Sequence, residues 1–126
     1  NHIFVSGLGP RASGLGKLIE TAKKKKPKGM RIEIEVNNLR EFKEALMAKP
    51  DIIMLDNMSL KEIKEAVMLR RGMKDGGRGA LLEVSGGVTL DNVREISKTG
   101  VDMISIGALT HSAKAIDISL EVAESG

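Results

Sequence analysis

A parallel α/β fold, the later part of a TIM-like (β/α) barrel, is what this sequence predicts, and three observations predict it. Short apolar, β-branched runs alternate with helical patterns along the 126 residues, which is the sequence form of βα units on a parallel sheet. Polar residues collect at the C-terminal ends of those runs, at Glu35, Asp56, Ser85 and Gly107, where barrel active sites lie. No Gly-rich dinucleotide turn follows any run, which removes the strongest sign of the doubly wound alternative. A complete barrel takes ~250 residues and eight strands. The chain therefore reads as an incomplete barrel, residues 1–126 forming its C-terminal part.

The elements follow in order. HIFV (2–5) reads as the tail of a strand. A helix over about 13–25 carries Leu15, Leu18, Ile19 and Ala22 on one stripe. It ends in KKKKPK, Lys23 to Lys28, where cations complement the helix dipole. RIEIEV (31–36) is the next strand, and a helix over 38–48 repeats Leu39, Phe42 and Leu46. Asn38 and Glu41 stand at capping-box spacing before it. DIIML (51–55) is a strand, and Leu60, Ile63 and Val67 mark a helix over 59–71 behind a second box, Ser59 with Glu62. ALLEVSG (80–86) and DMISIG (102–107) are strands flanking a helix over 90–99, in which Leu90, Val93 and Ile96 face the core after Thr89. AIDISLEV (115–122) is a candidate last strand.

Composition excludes several functions. The net charge of +3 and a pI near 9.3 would suggest a nucleic-acid partner if the charge clustered beside stacking rings. It clusters only in KKKKPK, and the chain has no Trp or Tyr to stack on bases. The absence of Cys excludes disulfides, zinc–thiolate sites and a Cys nucleophile. No apolar stretch approaches the ~20 residues of a membrane span. The opening NHIFVSGLGP has no basic n-region, so the expectation is a cytoplasmic protein that meets neither nucleic acid nor membrane.

Two nucleotide-loop patterns fail on spacing in GLGPRASGLGK (Gly7 to Lys17). A P-loop needs G-x-x-x-x-G-K-[ST], but Arg11 occupies the first position and Leu18 follows the lysine. G-x-G-x-x-G fails at Ala12. His2 and His111, the only histidines, are too few for a histidine metal cluster.

Four segments carry the chemistry. EVSGGVT ends a strand with Ser85, Gly86 and Gly87 before a helix, where backbone N–H groups and the helix dipole can meet an anion. SIGALTHS repeats the arrangement one strand later with Gly107 and His111. Adjacent late βα loops of this kind build phosphate sites on barrels. Glu35 and Asp56 each end a strand, one βα unit apart. With neighbouring strands ~4.8 Å apart, both carboxylates can face one pocket mouth, where they repel unless a cation or hydroxyl-rich ligand lies between them. Glu33 shares the strand face of Glu35 but lies deeper. A phosphorylated, hydroxyl-bearing substrate developing positive charge satisfies this set, as in ribose-phosphate transfer through an oxocarbenium-like transition state.

IEIEVNNLREFKEAL, DIIMLDNMS, LLEVSGGVTLDNV and TGVDMISIGALTHS together resemble the quinolinate phosphoribosyltransferases, the carboxylating nicotinate-nucleotide pyrophosphorylases. The resemblance covers nearly the whole chain. It implies conversion of quinolinate and phosphoribosyl pyrophosphate to nicotinate mononucleotide, pyrophosphate and CO₂, with Mg²⁺, by a homodimer in NAD biosynthesis. Glu35 and Asp56 match the acids that hold the ribose hydroxyls and the metal. Ser85, Gly86, Gly87, Gly107 and His111 match the phosphate-contacting segments. Family members carry an N-terminal sandwich domain and the first barrel strands ahead of this portion, and these supply most of the basic residues that bind the dicarboxylate. A related phosphoribosyltransferase of nicotinate or molybdenum-operon type, or a non-catalytic barrel fragment, are the alternatives.

Overall fold

The computed structural model describes residues 2–6, 14–73 and 79–107, the first of these segments as backbone. Strands β1 (His2–Ser6), β2 (Arg31–Val36), β3 (Ile52–Asp56), β4 (Leu81–Ser85) and β5 (Met103–Ile104) alternate with helices α1 (Leu15–Lys25), α2 (Leu39–Ala48), α3 (Leu60–Arg71) and α4 (Val93–Ser97). All neighbouring strands pair in parallel, and their order in the sheet is their order in the chain. A doubly wound sheet reverses its order at a switch point. A barrel does not, and this sheet does not.

The two faces of the sheet differ in kind. Ile32, Ile34, Val36, Ile53, Leu55, Leu82 and Val84 are buried on one face, and the helices lie over them. Ile19 of α1, Phe42 and Ala45 of α2, Ile63, Ala66 and Val67 of α3 and Ile96 of α4 complete that core. On the other face stand Glu33 and Glu35 of β2, Met54 and Asp56 of β3, and Glu83 and Ser85 of β4. Register fixes this, because Glu35 pairs with Met54, Met54 with Glu83, and Asp56 with Ser85, and in-register residues of parallel strands share a face. An ordinary barrel interior is filled by Val, Ile and Leu; on this face Glu33, Glu35, Asp56 and Glu83 stand among Ile52, Met54 and Leu81.

The starts of α2 and α3 follow the sequence signals with one change of partner. Ser59 and Glu62 form a reciprocal capping box. Asn38 accepts from the Glu41 N–H at 2.9 Å, but the Glu41 carboxylate reaches back to the N–H of Asn37 instead of Asn38. Part of the lysine run is structural. Lys23 Nζ donates to the Ala48 carbonyl at 2.6 Å, closing the end of α2, and Lys26 Nζ donates to the Met30 carbonyl.

The last two elements are shorter than the sequence predicts. The predicted helix over 90–99 begins only at Val93, because Thr89 and Asn92 exchange hydrogen bonds that close a turn first. Leu90 sits on that turn and is 68% exposed, not in the core. The predicted strand over 102–107 narrows to Met103–Ile104. Asp102 instead anchors the strand's start, its carboxylate accepting from the Leu82 N–H at 2.8 Å and pairing with Arg70. Asp51 does the same before β3, accepting from the Ile32 N–H at 2.6 Å. These two aspartates stitch the N-terminal ends of the strands, the face where barrels keep their stabilising residues. His111, the candidate strand at 115–122 and most of GLGPRASGLGK lie outside the described residues.

Candidate active site at the C-terminal ends of the strands

Glu35, one residue before the end of β2, and Asp56, the last residue of β3, come together as expected. Their carboxyl groups are hydrogen-bonded to one another. Burial, then the Asp56 hydrogen bond and charge, then the charge of Glu41, push the Glu35 carboxyl up to about 7. Two carboxyl groups held this close oppose each other's ionisation unless something positive or hydroxylic lies between them. They are half-buried rather than solvated.

A second acid pair lies beneath the first. Glu33 is 9% exposed, and its carboxyl is hydrogen-bonded to Glu83, two strands away. Burial first, and Glu83 second, push Glu33 up to about 8. Glu83 Oε1 in turn accepts from Ser105 Oγ at 2.6 Å, so the deep pair reaches from β2 to the residue after β5. Sequence reading placed Glu33 deeper than Glu35 but missed Glu83. The signal was present: an acid at the centre of LLEVS, on the face that Glu35 and Asp56 occupy.

The glycine loop follows β4 directly. Gly86 and Gly87 both have left-handed backbones, φ 73° and 67°, which side-chain-bearing residues rarely adopt. Gly86 is also needed for space. A β-carbon there would stand 2.6 Å from Asp56 Oδ1 and 2.9 Å from Asn57 Oδ1. The acid pair and the glycine loop are thus parts of one site. Asn92 holds the far side of the loop, donating from Nδ2 to the Gly87 carbonyl at 2.8 Å. A cleft of about 360 Å³ beside the loop is lined by Asn57, Ser59, Gly86, Gly87 and Asn92, among others. Gly107 is exposed with open space around its Cα. A larger cavity, about 400 Å³ and lined by Arg31, Asp51 and Arg70, lies at the opposite ends of the strands, away from these groups.

Among the described residues, no three or more His, Cys, Asp or Glu converge on a metal-sized space. Glu35 and Asp56 supply two hard oxygen donors. That fits Mg²⁺, which takes one or two carboxylates from a protein and the rest of its shell from water and substrate phosphates. The arrangement offers acids for hydroxyls and developing positive charge, beside a glycine loop for an anion.

Comparison with known proteins points the same way. The family described as quinolinate phosphoribosyl transferase, C-terminal domain, matches residues 1–121. A probable nicotinate-nucleotide pyrophosphorylase (carboxylating) of Methanocaldococcus jannaschii is 44% identical over 123 residues, 97% of this chain and 41% of that protein. The nicotinate-nucleotide pyrophosphorylase (carboxylating) of Rattus norvegicus is 32% identical over 126 residues, 100% of this chain and 39% of that protein. Among solved structures, the nicotinate-nucleotide pyrophosphorylase of Francisella tularensis is similar at TM-score 0.72 and 39% identity, over 86% of this chain and 37% of that one. NadC of Streptococcus pyogenes is similar at TM-score 0.72 and 36% identity, over 93% of this chain and 39% of that one. The chain spans about two fifths of the length of the curated relatives it matches, 41% and 43% of two of them.

Proposed function

We propose that this chain, which belongs to the quinolinate phosphoribosyltransferase family and matches its C-terminal domain, forms the ribose-phosphate side of an active site making nicotinate mononucleotide. In that reaction the pyridine nitrogen of quinolinate bonds to C1 of the ribose as pyrophosphate leaves. The carboxyl group next to the ring nitrogen departs as CO₂, and a proton takes its place on the ring carbon.

The observation that carries this reading is the approach of Asp56 to Gly86, which joins a carboxylate pair to an anion loop within one ligand's reach. Glu35 and Asp56 receive the ribose hydroxyls and face the positive charge that grows at C1, a charge present in the transition state and not in the substrate. Burial first, and then Asp56, disfavour the ionised Glu35 carboxyl, and a positive charge between the two acids favours it. The Ser85–Gly87 loop, together with Gly107 and His111, takes the phosphate. Mg²⁺, held by Glu35 and Asp56 with the substrate's own phosphates, would neutralise charge on the leaving pyrophosphate. The same reading makes the full-length protein a cytoplasmic homodimer acting on small molecules, not on nucleic acid or membranes. Among the described residues, no helix is long and apolar enough to cross a membrane.

The test uses the full-length protein with quinolinate, phosphoribosyl pyrophosphate and Mg²⁺, following nicotinate mononucleotide and CO₂ together. Glu35→Gln and Asp56→Asn are expected to lower kcat by about 10²- to 10³-fold, as loss of an electrostatic group does, while the fold persists. Near-normal turnover in both variants would reduce these acids to strand-end polar groups.

A further inference from the structure

Asn57 follows Asp56 immediately and has a left-handed backbone, φ 52°, a conformation that Asn tolerates better than most residues. The bend places its own N–H on the Ser85 carbonyl at 3.0 Å. It also lays the side-chain amide against the loop, with Oδ1 2.9 Å from where a β-carbon of Gly86 would stand and 3.4 Å from that of Gly87. On the other side, Asn92 holds the Gly87 carbonyl and is itself locked to Thr89. Two consecutive left-handed glycines are intrinsically free to rearrange. Here they are seated between two asparagines.

We propose that Asn57 is a positioning residue, which fixes the Gly86–Gly87 loop against Asp56 so that one ribose phosphate spans acids and loop. The proposal rests on the ribose-phosphate reading above. Asn57 itself need not touch the ligand. Its backbone bend and its amide separate experimentally, because glycine adopts the same φ without the amide. An aspartate has the same shape as asparagine but puts a negative charge beside an anion loop.

Asn57→Gly and Asn57→Asp in the full-length protein therefore test the idea, with steady-state kinetics for phosphoribosyl pyrophosphate and backbone ¹⁵N relaxation of the ligand-free protein. In Asn57→Gly, the order parameters of Gly86 and Gly87 should fall from a rigid value near 0.85 to below about 0.6. KM should rise about tenfold with kcat within about threefold, the signature of lost binding rather than lost chemistry. Asn57→Asp should keep the loop rigid and raise KM through charge alone. A rigid loop in Asn57→Gly overturns the proposal whatever the kinetics show, and so does a loosened loop with unchanged KM. If the wild-type protein neither binds nor turns over phosphoribosyl pyrophosphate, the functional reading falls, and the order parameters alone decide whether Asn57 positions the loop.

Discussion

Replacing Gly86 with alanine, and Gly87 with alanine beside it, separates backbone strain from displacement of the acid. Both glycines are left-handed, at φ 73° and 67°, so either alanine carries the ~1–2 kcal/mol of a left-handed non-glycine residue. Only at Gly86 does the new methyl group collide, at 2.6 Å from Asp56 Oδ1 and 2.9 Å from Asn57 Oδ1. The nearest atom to a methyl on Gly87 is Asn57 Oδ1 at 3.4 Å, an ordinary contact. Both oxygens are side-chain ends that can turn aside at little cost in stability, so either variant should destabilise by about 1–2 kcal/mol. The kinetic contrast should be larger. Asp56 must move by about half an ångström or more to clear the methyl group, and a shift approaching 1 Å at a positioned group costs on the order of 100-fold in rate. Urea unfolding and nicotinate mononucleotide formation, measured on both variants, give the two numbers. Equal kcat losses in the two variants would show that the loop acts only through the space it offers the phosphate, and that the Asp56 contact is incidental.

Glu33 predicts a pH dependence. Its folded pKa, about 8, lies above the ordinary 4.5, so the folded state holds the proton more tightly than the unfolded chain. The stability from this is fully present below pH 4.5 and is lost as pH rises towards 8, at up to about 1.4 kcal/mol per pH unit. Glu33→Gln keeps a donor towards Glu83 and should lessen the fall of the urea midpoint between pH 5 and 8, leaving the part that Glu35, raised to about 7, contributes; an unchanged slope would refute the assignment. Asp102→Ala removes the partner of Arg70 and of the Leu82 N–H, and should cost about 1–3 kcal/mol by leaving half-buried donors unsatisfied. Turnover measured where the protein is fully folded should be near normal, since this end of the strands faces away from the acids. Expressed as these 126 residues alone, the chain should self-associate, because among the described residues β1 and β5 are the edges of its sheet and sheet edges recruit other chains. It should form no nicotinate mononucleotide, because it spans only 41% of the length of a relative it matches. Light scattering with product assay checks this, and an active monomer would refute it.

The sequence by itself determined whatever depends on local periodicity. Apolar runs of β-branched residues bounded by caps placed β2, β3 and β4, and the Ser59–Glu62 box placed the start of α3, because strand and helix periods and capping are near-neighbour effects. Two acids at strand ends and a Ser-Gly-Gly loop were legible for the same reason: in a parallel sheet, the end of each strand is a position in the sequence. The start of α4 was not, because Thr89 and Asn92 form a closed turn that competes with the helix, and both residue types suit either role. Tertiary structure alone decided which acids meet. Glu33 and Glu83 are 50 residues apart in the chain, and they meet only because β2 and β4 flank β3 with both acids on one face of the sheet. Nor could spacing show that Gly86 has no side chain because Asp56 and Asn57 occupy the place where one would stand. That exclusion belongs to two strands packed in one register, and it holds the acid and the glycine loop together.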